Sequence, residues 1–276
     1  MALNLMYITN SPGVAEIAER NGVDRIFIDL ETRGKEERQG HIDSVKSHHS
    51  LHDIDKVKER LGRSQLLVRC NPIYEGSREE IREIVARGAD IVMLPMWRTM
   101  DEVLRFVDYI GGKARAMLLL ETRDAEGMIE DAIADTGVDE VHVGLNDLHL
   151  DYGLTFLFEL LANGKVDEIA AKLNAHGMFF GFGGIAALDG GLISGRNIIA
   201  EHYRLHSGMA ILSRAFCDTS KTESMEQVER IFADGVRGIR SFEAGLRDMP
   251  GSYFEDNHRT VCDKVAEIVR MKKTGQ

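Results

Sequence analysis

Residues 114–122 read ARAMLLLET, and residues 140–153 read EVHVGLNDLHLDYG. Each stretch opens as an apolar run of the kind a strand buried on both faces shows, and each closes on a carboxylate, Glu121 or Asp147. Between them, Met128, Ile129, Ala132 and Ile133 recur at helical spacing, so the unit reads strand, helix, strand. In a parallel α/β sheet the carboxyl ends of neighbouring strands lie side by side, which predicts that Glu121 and Asp147 become neighbours. Two ionised carboxylates at a buried mouth repel each other unless a cation lies between them or one takes a proton.

Working outward, the same alternation continues in both directions. Strand-like runs fall at 4–9, 25–31 (RIFIDLE), 65–71 (QLLVRCN) and 91–96 before the central unit, and at 178–185 (MFFGFGGI) and 207–213 after it. Helical spacing occupies 13–21, 53–61, 77–88, 100–110, 124–137, 198–203 and 225–246, with a longer region at 154–176 broken near Asn163-Gly164. Eight strands alternating with helices predict a (β/α)8 TIM barrel over residues 1–250; a doubly wound open sheet is the alternative. After Met249-Pro250-Gly251, a last helix at 253–273 carries Val261, Val265, Ile268 and Val269 on one face. Residues 251–276 thus read as an added C-terminal helix that packs on the barrel or on a partner subunit.

With 276 residues, 43% of them hydrophobic, the chain can bury one sizeable core. A net charge of −11 argues against nucleic acid and anionic membrane surfaces as partners. No apolar run approaches the length of a membrane span, and the N-terminus reads as a first strand rather than a secretory leader. Cys70, Cys217 and Cys262 lie far apart without metal-type spacing, which fits a reduced compartment. The cytoplasm is the expected location.

Strand alternation places chemistry at one end of the predicted barrel. Counting back by twos from Glu121 gives Leu119 and Met117; from Asp147, Leu145 and Val143; from Arg69, Leu67. Asp29 and Glu31 share one face of strand two. One cation and up to four acids then converge on the carboxyl-terminal rim, where such barrels perform chemistry. Two carboxylates with room for water and a ligand describe a hard-cation site, so Mg2+ or Mn2+ is the expected occupant, and no His-rich or Cys-rich spacing points to zinc. An α-keto acid can chelate such a metal, with the planar fork of Arg69 on its oxygens.

The segments FIDLE (27–31), LVRCNP (67–72), VMLP (92–95), LLLET (118–122) and VGLNDL (143–148) fall in order at the expected strand ends. In these the chain resembles the HpcH/HpaI aldolase and citrate lyase family of the phosphoenolpyruvate/pyruvate-type barrels, over residues 4–217. The resemblance implies a homo-oligomeric (β/α)8 barrel, a divalent metal and a pyruvate enolate. It implies Glu121 and Asp147 as metal ligands and Arg69 on the pyruvate-like moiety, with Glu31 and Asp29 holding metal-bound water or ordering the rim. Three positions depart from the family's branches. Thr32 stands where the aldolase branch has its general-base His, Leu119 where it favours Gln, and Met96 where the citrate lyase-like branch has Lys.

The segment 32–52 (TRGKEERQGHIDSVKSHHSLH) is long for a βα connection and is rich in cations and His. It carries Arg33, Lys35, Arg38, His41, Lys46, His48, His49 and His52, and His48 or His49 is the expected replacement base. His149 and Trp97 are further candidates for substrate contact, Trp97 as a pocket wall, and the Arg and Lys residues of this segment, with Arg98 and Arg123, for a second acidic group on the substrate. Gly181, Gly183 and Gly184 lie where some barrels bind phosphate, although close packing explains such glycines equally well. The reading is a metal-dependent carbon–carbon lyase acting on a 4-hydroxy-2-oxo acid. The alternatives are a citrate lyase-like acyl-CoA lyase or thioesterase, and a non-catalytic barrel serving as a binding or assembly subunit.

Overall fold

Eight short, mostly apolar runs form the strands of the computed structural model, which describes residues 2–34 and 49–275. They are β1 (Asn4–Ile8), β2 (Arg25–Asp29), β3 (Gln65–Arg69), β4 (Ile91–Leu94), β5 (Arg115–Leu120), β6 (Glu140–Val143), β7 (Phe179–Ile185) and β8 (Met209–Leu212). All pair in parallel in chain order, and β8 closes on β1, so the sheet is a barrel rather than a doubly wound one. Met6, Phe27, Leu67, Met93, Met117 and Met209 fill its lumen. The alternate residues, such as Ile26, Ile28, Val68, Val92 and Leu118, face the surrounding helices. Burial on both faces is why these strands read as continuous apolar runs.

The surrounding helices are α1 (Pro12–Arg20), α2 (Leu51–Lys58), α3 (Ser77–Ala86), α4 (Met100–Ile110), α5 (Arg123–Gly127), α6 (Ile129–Asp135), α7 (Leu145–Asp151), α8 (Glu159–Ala162), α9 (Lys165–Ala175), α10 (Gly195–Arg204) and α11 (Met225–Leu246). Local signals set their ends. The Ser11 hydroxyl accepts from the Val14 N–H to start α1, and a Thr99–Glu102 capping box starts α4, which ends on left-handed Gly111. A last helix, α12 (Gly251–Thr274), packs on α10 and α8 outside the ring. The Asn257 amide donates to the Asn197 carbonyl at 3.0 Å and to the buried Glu201 carboxylate at 2.8 Å.

β6 is shorter than its sequence suggests. It stops at Val143, and the chain turns at Gly144 into α7, so the stretch 140–153 is half strand and half helix. Gly144 is required by close approach: a Cβ there would lie 2.9 Å from both the Cβ and an Oε of Glu121. The inward phase of β6 also differs from the count by twos. Val141 and Val143 pack outward, while Glu140 and His142 are the inward pair, because the strand ends before the count from Asp147 begins.

Glu140 closes the amino-terminal floor of the barrel. Its carboxylate takes both terminal nitrogens of Arg25, at 2.5 and 2.9 Å, and one from Arg115 at 2.9 Å, while Gln65 accepts from Arg25 Nε at 3.0 Å. Arg25 and Glu140 are essentially inaccessible to solvent. Replacing one partner leaves the other charged and unpaired in the core, whereas an apolar pair removes both charges. Glu140→Gln is expected to lower unfolding free energy in urea by ~3–5 kcal/mol, and R25M/E140L by clearly less.

Candidate active site

The opposite rim is organised by Arg69, the last residue of β3. Its Nε and Nη2 donate to the two Asp29 oxygens at 2.9 and 2.8 Å, and Nη2 also lies 3.3 Å from Glu31. Parallel register sets Asp29 directly beside Arg69, and the Glu31 N–H donates back to Asp29 at 3.1 Å. Burial alone would lower the guanidinium pKa, but Asp29, Glu31 and Glu121 outweigh it and drive the pKa above its ordinary value. Arg69 is therefore a fixed cation whose Nη1 makes no hydrogen bond within the described residues. Asp29 and Glu31, at 3% exposure, sit behind it as anchors rather than in the cleft it lines.

Glu121 follows β5 on the same inward phase as Met117 and Leu119. One oxygen accepts the Met96 N–H at 3.0 Å, and Met96 adopts an uncommon left-handed φ of 54° just past β4. Asp147 comes from the first turn of α7, not from a strand, and the two carboxylates repel each other. Burial first, and then the charge of Asp147, push Glu121 up to about 8, against opposing pulls from Arg69 and the Met96 N–H. Among the described residues the rim thus gathers one guanidinium, that of Arg69, and four acids, Asp29, Glu31, Glu121 and Asp147.

The donor set fits a divalent cation. Both acids offer hard oxygen, they line one cleft, and the glycine that lets α7 approach Glu121 keeps the space clear. Among the described residues no group of three or more His, Cys, Asp or Glu side chains is placed to hold a metal. Two carboxylates sharing a cation with water and substrate suit Mg2+ or Mn2+.

The cleft measures about 510 Å³ and opens over Arg69, Glu121, Asp147, Gly144 and His142. His142 is a residue the strand count missed. Its Nε2 lies 3.1 Å from the Gly183 carbonyl, Nδ1 is buried without a partner, and burial pushes the imidazole down to about 4. The signal was present in EVHV, where Glu140 and His142 are the polar residues at alternate positions of an apolar run.

Other expected contacts lie elsewhere. Trp97 is 1% exposed and belongs to the outer core, because the left-handed turn at Met96 breaks strand alternation and sends the indole away from the cleft. His149 bonds the Leu145 carbonyl one turn back on α7 at 3.1 Å and packs inside rather than lining the cleft. His49 Nδ1 accepts the Asp29 N–H at 2.9 Å, which puts the proton of a neutral ring on Nε2 and leaves no lone pair to act as base. His48 lies outside the described residues, as do Lys35, Arg38, His41 and Lys46; Arg33 stacks on Tyr74. Arg98 and Arg123 line a separate cleft, where Arg98 pairs with Asp124 at 2.6 Å and Asp151 at 3.4 Å. Gly181 is a packing glycine, since a Cβ there would fall 2.0 Å from the Met209 carbonyl.

Fold and site together define a parallel α/β barrel with an acid pair and an anchored guanidinium at its carboxyl-terminal mouth. The profile of the HpcH/HpaI aldolase/citrate lyase family matches residues 4–159, more than half of the chain, and the chain belongs to that family, which is a family of lyases. Similar solved structures include an HpcH/HpaI aldolase/citrate lyase family protein from Burkholderia cenocepacia J2315, at 14% identity over 90% of this chain and 94% of that one, with a TM-score of 0.60. Another is the HpcH/HpaI aldolase from Desulfitobacterium hafniense DCB-2, at 15% identity over 91% and 95%, with a TM-score of 0.58. At these identities the likeness shows the fold alone. No curated protein sequence matches the chain. Among the described residues no helix is long and apolar enough to cross a membrane.

The Glu121 shift has a consequence for stability in chelator-treated protein. Its folded pKa near 8 stands above its ordinary 4.5, so between those values the folded state holds a proton that the unfolded state has lost. Stability is therefore expected to fall as pH rises through this window, and Glu121→Gln to flatten that slope in pH-resolved thermal melts. An unchanged slope in the variant would show that Glu121 titrates normally.

Proposed function

We propose that the protein is a divalent-metal-dependent carbon–carbon lyase that cleaves or forms a 4-hydroxy-2-oxo acid by way of a pyruvate enolate. The observation that carries this reading is the anchored guanidinium of Arg69 facing the same cleft as the Glu121–Asp147 pair. Members of the family generally depend on a divalent metal. Glu121 and Asp147 would hold that ion here, and when bound it supplies Lewis acidity toward oxygens of an α-keto acid.

The remaining chemistry belongs to the chain. Arg69 presents its open Nη1 edge to a carboxylate or keto oxygen, and Asp29 prevents the fork from rotating away. In the cleavage direction the C4 hydroxyl loses its proton, the C3–C4 bond breaks, and the electron pair moves into the enolate of pyruvate. Arg69 stabilises that charge more than it stabilises the neutral ketone, which is the differential binding that lowers the barrier. An aldehyde leaves, and C3 of the enolate takes a proton to give pyruvate.

Mn2+-replete protein is expected to release pyruvate from at least one member of a panel of 4-hydroxy-2-oxo acids, read by a coupled lactate dehydrogenase assay. Arg69→Lys, which keeps the charge but not the fork, should lower kcat/KM by ~10²–10³-fold. Activity confined to acyl-CoA esters would favour a citrate lyase-like reaction, and undiminished turnover by Arg69→Lys would remove the guanidinium from the mechanism.

A further inference from the structure

The cleft changes character from its inner end to its mouth. Besides the polar cluster, the cleft is lined by a wall of consecutive apolar residues, Phe156, Leu157 and Phe158, and by Leu192 and Ile193. Phe156 and Phe158 meet edge to face with centroids 5.5 Å apart. Their segment is pinned, because the N–H groups of Thr155 and Phe156 both donate to one oxygen of Glu159, at 2.7 and 2.8 Å. The far end of α12 braces the same wall, with the Lys272 ammonium 5.5 Å from the Phe156 ring centre. Facing this wall, Leu192 is 67% exposed on the segment between β7 and α10, an apolar side chain left in water at the cleft mouth.

Among the described residues, two of the cations expected to meet an acidic substrate tail are placed elsewhere. Arg98 and Arg123 line the neighbouring cleft, and Arg69 is committed to Asp29 and Glu31 at the inner end. Arg214 also lines the cleft, but it is exposed to solvent. Among the described residues, a carboxylate or phosphate entering beside Phe158 and Leu192 would lose hydration without a buried cationic partner.

We infer that the acceptor half of the substrate is apolar: the aldehyde released or captured carries an alkyl chain or an aryl ring, not a second acid. This rests on the lyase reading above and adds to it the class of the C4 substituent. The reaction stays balanced without a co-reactant, since the hydroxyl proton lost at C4 is matched by the proton gained at C3.

The test compares pyruvate adducts of acetaldehyde, propanal, pentanal and benzaldehyde with that of succinic semialdehyde, in Mn2+-loaded protein. The expected result is a rise in kcat/KM of about 4-fold per added methylene along the alkyl series, the worth of burying one such group, with the acidic adduct slower than pentanal's. Leu192→Lys, at an exposed position, should narrow the pentanal-to-acidic ratio by roughly tenfold. A wild-type preference for the acidic adduct that Arg214→Ala abolishes would overturn the inference, as would rates indifferent to chain length. Deuterium exchange into the methyl group of pyruvate reports enolisation without any acceptor. Exchange without apolar preference sinks this inference alone, and absence of exchange sinks the enolate reading beneath it.

Discussion

The bidentate pair between Arg69 and Asp29 decides how the mouth of the barrel is organised. Both side chains end neighbouring parallel strands in direct register, so their meeting follows from the sheet and not from a loop. A guanidinium buried this deeply needs compensation, and Asp29 and Glu31 supply it from one side. The other side of the fork is left for the cleft. With its anchor on a strand, the cation is held to the tolerance of a sheet rather than of a flexible segment.

Among the described residues the same rim carries four acids beside Arg69. Glu121 answers this by holding a proton, and the shift is caused by burial and by Asp147. On the proposed reading, proton and divalent ion would compete for the same oxygens. At the floor of the barrel the sign is reversed: the single carboxylate of Glu140 meets two guanidiniums, those of Arg25 and Arg115. The two ionic clusters of the lumen thus differ in make-up, guanidinium-rich at the floor and, among the described residues, acid-rich at the open end.

The sequence made the barrel legible because eight apolar runs alternate with helical periodicity, and each run is buried on both faces. Asp29, Arg69 and Glu121 were legible as well, since alternation holds as far as the strand does. Asp147 reached the site by another route. Gly144 ends β6, the period changes from two to 3.6 residues per turn, and a count by twos gave the right residue with the wrong neighbours, hiding His142. Trp97 failed for a related reason, as one left-handed residue at Met96 resets the direction of the next side chain. The base expected at His48 or His49 rested on the length, place and residue types of the segment after β2. Residue type says nothing of which ring nitrogen is already engaged, and in His49 the engaged one is Nδ1.

The central claim is that Glu121 and Asp147 form one divalent-cation site in front of Arg69. Calorimetric titration of chelator-treated protein with Mn2+ measures it directly. The account predicts a single site per chain whose affinity rises with pH as Glu121 gives up its proton, and whose heat is lost in the Glu121→Gln, Asp147→Asn double variant. Unchanged Mn2+ binding in that double variant, or none in the wild type at pH above 8, would contradict it.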